Sequence, residues 1–144
     1  MSVLWFDGLL AQTEDAGVYF LPDADVDELL EAAAVNRFPL LRVNLRGCHA
    51  RADLLLRLAG VLALPPHVVE DWAALPAALR SLRHPDTPGQ VLLLEHSDEL
   101  RAQNRDDFKQ AMEALQAASA DWAAQGLPLW SFIVLDEAEF DALG

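Results

Sequence analysis

One cysteine, Cys48, stands in the 144 residues, so an internal disulfide is excluded and a reducing compartment is the natural setting. Cations are scarce as well: 10 Lys+Arg face 23 Asp+Glu, for a formal net charge of -13. That field repels nucleic-acid phosphates and anionic membranes and draws in cationic proteins. The same acidity would also keep any cytosolic protein soluble. No apolar run is long: Leu54 to Leu64 is broken by Arg57 and falls well short of the roughly 20 residues a spanning helix needs. The opening Met-Ser-Val-Leu-Trp-Phe-Asp-Gly has no basic residue, and Asp7 and Gly8 interrupt it, which argues against a signal peptide. A cytoplasmic protein with no nucleic-acid or membrane partner is expected. Glycine-rich phosphate loops are missing too, because Gly47, Gly60 and Gly89 are isolated, and no cofactor is implied.

What is present is a chain with 53% hydrophobic residues, enough for one compact domain with a real core. Residues 1–16 have no clear period and read as a lead-in. Gly17 to Leu21 is aromatic and β-branched and ends at Pro22, the composition of a strand. Asp25 and Glu28 have capping-box spacing, and Val26, Leu29, Leu30 and Ala33 make one helical face that should end near Asn36 to Pro39. Leu41, Val43 and Leu45 then alternate with Arg42, Asn44 and Arg46, the period of a second strand closed by Gly47.

Helical spacing returns with Leu54, Leu55, Leu58, Ala59 and Leu62, opposite Arg51, Asp53 and Arg57. Val91 to Leu94 is continuously apolar, as a central parallel strand covered on both faces requires. Asn104 is placed to cap a long helix burying Phe108, Met112, Leu115 and Trp122, and Gly126 with Pro128 stops it. Leu129 to Leu135 is the last strand, and residues 136–144 form an acidic tail. Strands alternating with helices predict an α/β fold: a mainly parallel four-stranded sheet flanked by helices.

Between these elements, Leu64 to Leu82 reads as a loop followed by a short helix. Pro65 and Pro66 end the preceding pattern, Asp71 is placed as an N-cap, and Trp72, Leu75, Leu79 and Leu82 form the next apolar series. His67, Glu70 and Asp71 share its entrance, which makes it the candidate recognition surface. Pro76 either kinks this helix after Leu75 or starts it anew at its first position.

Three features in order resemble the barstar family of intracellular ribonuclease inhibitors. They are Leu64-Pro65-Pro66 leading into Glu70-Asp71-Trp72-Ala73-Ala74-Leu75, the strand Val91-Leu92-Leu93-Leu94-Glu95, and Asp107-Phe108 through Trp122, Gly126 and Pro128 into the last strand. The resemblance spans residues 41–135, about two-thirds of the chain, and makes the unit before it an added N-terminal strand and helix. It implies a protein that plugs the active site of a basic ribonuclease or nuclease toxin with an acidic loop and helix, as an immunity protein does, acting as a monomer or weak homo-oligomer. Aligned without gaps, the family's loop aromatic falls at His67 and its two outward aspartates at Ala73 and Ala77. The implied partner surface is then His67, Glu70, Asp71, Ala73, Ala77 and Arg80, with Asp121 as a further acidic contact. Alanine at those two positions also suits apolar contact, so an adaptor or assembly role on the same fold stays open.

Catalysis finds less support. Cys48 and His49 are adjacent and tend to point apart, with no third group placed to orient them. His96, Asp98 and Glu99 follow a parallel strand's carboxyl end, where ligands of open α/β sheets gather, yet their spacing matches no strong metal pattern and a solvated turn is the plainer reading. Trp72, Phe108, Met112, Trp122 and Trp130 lie on apolar faces and read as packing. A non-enzymatic, protein-binding domain is expected.

Overall fold

The apolar run at Val91 to Leu94 becomes part of strand β3, Gln90–Glu95, whose first five residues are all buried. The computed structural model describes residues 16–61, 88–136 and 138. Around β3 it places β1, Val18–Pro22, β2, Leu40–Asn44, and β4, Leu129–Leu135. These strands form a four-stranded sheet in the order β1-β4-β3-β2, and every pairing is parallel. Helices α1, Val26–Val35, α2, Arg51–Val61, α3, Asp98–Gln103, and α4, Arg105–Ala123, connect the strands. Among the described residues, no helix is long and apolar enough to cross a membrane.

Successive side chains of a strand point to opposite faces, and here both faces are covered. Leu92, Leu94, Leu129 and Ile133 pack in one cluster with Leu54, Leu55 and Leu58 of α2 and Leu115 and Trp122 of α4. Val91, Leu93, Trp130 and Phe132 pack in the other with Leu29, Ala32 and Ala33 of α1. The added strand and helix therefore extend the sheet beside β4 and roof its second face. Each buried Val, Leu or Phe contributes about 1.5–3 kcal/mol relative to exposure.

Several local expectations hold in detail. Asn104 caps α4 by accepting from the Asp107 N–H at 3.3 Å, and its amide donates to the Asp107 carboxylate at 2.9 Å. Gly126, at φ 77°, ends the helix: Gly126 N–H donates to Ala123 C=O and Leu127 N–H to Trp122 C=O, the paired bonds of a Schellman motif. Three expectations need correction. The Asp25–Glu28 capping box does not form, because a 3-10 turn over Asp23–Asp25 leads into α1 and Asp25 makes no side-chain cap bond. The segment after Glu95 does not stay a turn but winds into α3. The buried face of α4 is lined by Ala111, Ala114, Leu115, Ala118, Ser119 and Trp122, with Phe108 and Met112 half-buried at its margin.

Close approach also dictates one glycine. A Cβ on Gly89 would lie 2.8 Å from the Pro128 backbone oxygen and 3.0 Å from the Phe38 ring, so the entry to β3 admits no side chain.

The end of α1 is less comfortable. Phe38 N–H donates to Ala33 C=O and Arg37 N–H to Ala34 C=O, again a Schellman pair, but the left-handed position is filled by Arg37 at φ 62°. Left-handed backbone costs an L-residue about 1–2 kcal/mol, and glycine's extra chain entropy costs roughly 0.5–1 kcal/mol. Arg37→Gly is expected to stabilise the protein by about 0.5 kcal/mol, seen as a higher urea midpoint at unchanged slope. A lower midpoint would mean that Arg37 carries no such strain.

Candidate functional site

The helices run back across the sheet, so the molecule has an amino edge, where strands begin, and a carboxyl edge, where they end. The last turns of α4 are fastened to the amino edge. Gln116 Oε1 accepts from the Val18 N–H at 3.2 Å, and the Ser119 hydroxyl donates to Leu129 C=O at 2.7 Å. Asp121 follows half a turn later and is half-buried. Of the residues expected to meet a partner, Asp121 is described, whereas His67, Glu70, Asp71, Ala73, Ala77 and Arg80 lie outside the described residues. The described neighbours of that segment are Val61, where α2 ends, and Pro88, one residue before Gly89 and its contact with Pro128 at the start of β4.

The carboxyl edge carries a second arrangement that no short sequence motif announces. Arg42, on the outward side of β2, meets Glu95 at the end of β3 through Nε–Oε1 at 2.7 Å and Nη2–Oε2 at 2.8 Å, a bidentate pair. The hydrogen bond from Arg42 holds the Glu95 carboxyl below its ordinary range against a smaller opposing effect of burial. Reciprocally, the bond to Glu95 raises the Arg42 guanidinium. Next to Glu95, His96 adopts φ 61°, and Arg46 Nη2 lies 3.4 Å from its Nδ1. Ser97 is fully buried; its Oγ accepts from Arg101 Nε at 3.0 Å, and the Arg101 guanidinium sits 5.9 Å from the Phe108 ring centroid. A cleft of about 480 Å³ opens among the ends of β1, β3 and β4, with Asp23, Glu95, Asp98 and Asp136 around it and Arg42 and Arg101 among its lining.

Cys48 and His49 part company as the sequence suggested. Cys48 is wholly buried, and that burial pushes its thiol upward. His49 turns outward to α3, with Nδ1 2.9 Å from Gln103 Oε1 and Nε2 3.4 Å from Glu99 Oε2. The two make no thiolate–imidazole pair. His96, Asp98 and Glu99 do not meet at one point either: the first two line the cleft, whereas Glu99 pairs with His49. Among the described residues, no three of His, Cys, Asp and Glu gather as a metal-ligand set.

Fold and edges together define an open, all-parallel α/β domain with helices on both faces. The chain belongs to the barstar (barnase inhibitor) family, whose profile matches residues 38–134. The match begins at Phe38, after β1 and α1, so the roof over the second sheet face is an addition to the matched region. Comparison with the curated proteins finds no match. Among solved structures, the ORC2 protein of Aeropyrum pernix, in ADPNP–ADP complexes, is similar with a TM-score of 0.63 at 12% identity, over 95% of this chain and 40% of that one. Drosophila ORC bound to DNA is similar with a TM-score of 0.58 at 13% identity, over 92% of this chain and 36% of that one. The chain thus spans well under half the length of either, and at such identity the likeness is one of fold.

The Arg42–Glu95 pair yields a pH-dependent expectation. Glu95 is depressed in the folded state, so its stabilisation is present above the unfolded carboxyl value of about 4.3 and is lost as pH falls through the folded value. Arg42 is half exposed, and solvent screening limits the pair to about 0.5–1 kcal/mol. Glu95→Gln should be less stable than wild type by that amount in urea at pH 7, with the gap closing on acidification. A gap that persists or widens at pH 3 would show that the ion pair is not its source.

Proposed function

We propose that the protein inhibits a basic ribonuclease or nuclease toxin by occupying its active site with the acidic loop-helix surface at residues 64–82. Membership of the barnase-inhibitor family over residues 38–134 is the observation that carries this reading. The net charge of -13 supports it, because a nuclease must present cations to RNA, and long-range attraction speeds the encounter of opposite charges. Glu70 and Asp71 are the carboxylates that enter the phosphate sites, and His67 takes the place of the loop aromatic. Ala73, Ala77 and Arg80 complete that surface. Asp121 adds an acidic contact from the end of α4, the helix end tied to the amino edge. Binding rather than turnover is the mode of action, and the complex forms in the cytoplasm.

Titration of the purified protein into a basic ribonuclease assay should abolish activity, with an apparent affinity that falls as salt rises from 50 to 500 mM. Loss of a desolvated charged partner costs about 2–5 kcal/mol, so Glu70→Gln with Asp71→Asn should weaken inhibition by at least roughly tenfold. Asp106→Asn on the exposed start of α4 should leave it unchanged. Undiminished nuclease activity together with a concentration-dependent dimer would overturn this reading in favour of an adaptor.

A further inference from the structure

The cleft at the carboxyl edge has a position in the topology that gives it a role of its own. After β1 the chain crosses one face of the sheet as α1, whose side chains pack with Val91, Leu93, Trp130 and Phe132. After β3 it leaves to the opposite face, where Leu100 of α3 and Leu115 of α4 are buried. Strands β1 and β3 flank β4, so the two connections diverge on either side of its carboxyl end. Such a divergence is where open α/β sheets leave a crevice for ligands, and the cleft of about 480 Å³ is lined there by Glu95 of β3, Val134 and Leu135 of β4, and Asp23 just past β1.

Its chemistry selects the sign of the ligand. In phosphate-binding α/β proteins, the strand-to-helix turn bordering such a crevice is glycine-rich and offers a row of N–H groups. Here the turn from β1 into α1 is Pro22-Asp23-Ala24-Asp25: proline has no N–H to give, and the aspartates repel phosphate. Four carboxylates, Asp23, Glu95, Asp98 and Asp136, line the cleft against two guanidinium groups, Arg42 and Arg101. Arg42 and Glu95 are engaged with each other, which leaves three carboxylates in the lining against one guanidinium, that of Arg101, which bonds Ser97 and sits over the Phe108 ring. Val26, Val134 and Leu135 add an apolar surface to the same cleft. An apolar wall beneath a carboxylate rim matches a cation on an aliphatic stem.

We propose that this cleft binds an alkylammonium or alkylguanidinium group, of the kind carried by a free polyamine or by a lysine or arginine side chain, and that it excludes nucleotide phosphates. The cleft lies at the carboxyl edge, whereas Asp121 lies on the end of α4 that is tied to the amino edge.

Amide chemical shifts of the full-length, isotope-labelled protein test this, with spermidine, agmatine, a short Lys/Arg peptide and ATP as four separate titrants. The amines are expected to move Asp23, His96, Ser97 and Asp136 together and saturably, and ATP to leave them in place. Each exposed carboxylate contributes modestly, so Asp23→Asn with Asp98→Asn should weaken amine binding by roughly tenfold at unchanged melting temperature. Asp106→Asn with Glu113→Gln, the same charge change on the exposed face of α4, should not weaken it. Tighter binding of spermidine or agmatine than of the peptide would support a free amine as the ligand, and the reverse order a basic side chain. Shifts scattered over the acidic surface, equal loss in both double variants, or a stronger response to ATP would overturn the proposal.

Discussion

A fully apolar parallel strand has to be covered from both sides, and most of this molecule follows from that requirement on β3. Its residues alternate between two separate clusters, Leu92 and Leu94 in one and Val91 and Leu93 in the other. The region matched by the barstar profile supplies α2, α3 and α4 to the first cluster. Among the described residues, the second cluster takes its helix from α1, which packs with Trp130 and Phe132 beside Tyr19 of β1. The N-terminal unit answers this by sending β1 to the far edge of the sheet and α1 across the open face. Deep burial of Leu29, Ala32 and Ala33 is the contact by which it does so.

That crossover also sorts the surface into two edges. Helices that return over the sheet bring their ends to the amino edge, where Gln116 and Ser119 lock α4 to β1 and β4. Chain segments that depart to opposite faces leave the carboxyl edge split, with Glu95, His96 and Asp136 around the gap. Different chemistry suits the two places. The amino edge carries Asp121 on the anchored end of α4, and the carboxyl edge holds a mixed-charge cleft in which Arg42 and Glu95 are paired with each other.

The sheet was legible in the sequence because its signals are local. Continuous apolarity at Val91 to Leu94, strict alternation from Leu41 to Arg46, the Asn104 cap and the Gly126 stop each depend on neighbours within a few residues. The start of α1 misled for a related reason: Asp25 and Glu28 have the spacing of a capping box, but a 3-10 turn begins the helical winding earlier and uses Asp25 otherwise. Helix α3 was missed because Asp98 to Gln103 presents one fully buried residue, Leu100, too few for a period. At the carboxyl edge, His96 and Asp98 were legible as residues just past a parallel strand, but the pairing of Arg42 with Glu95 was not, for a different reason. Arg42 and Glu95 are 53 residues apart, and nothing in an outward strand arginine foretells which carboxylate the neighbouring strand will bring beside it. For the proposed inhibitory surface, the loop and N-cap pattern pointed to His67, Glu70 and Asp71, whereas Ala73, Ala77, Arg80 and Asp121 entered through the family resemblance, since isolated alanines carry no period of their own.

Hydrogen–deuterium exchange of the protein alone and in complex with a basic ribonuclease that it inhibits is the most direct measurement of this two-edged account. Slowed exchange should be confined to residues 64–82 and the last turns of α4 around Asp121, with Asp23, His96 and Asp136 exchanging as in the free protein. Protection centred on those carboxyl-edge residues, with residues 64–82 unaffected, would contradict it.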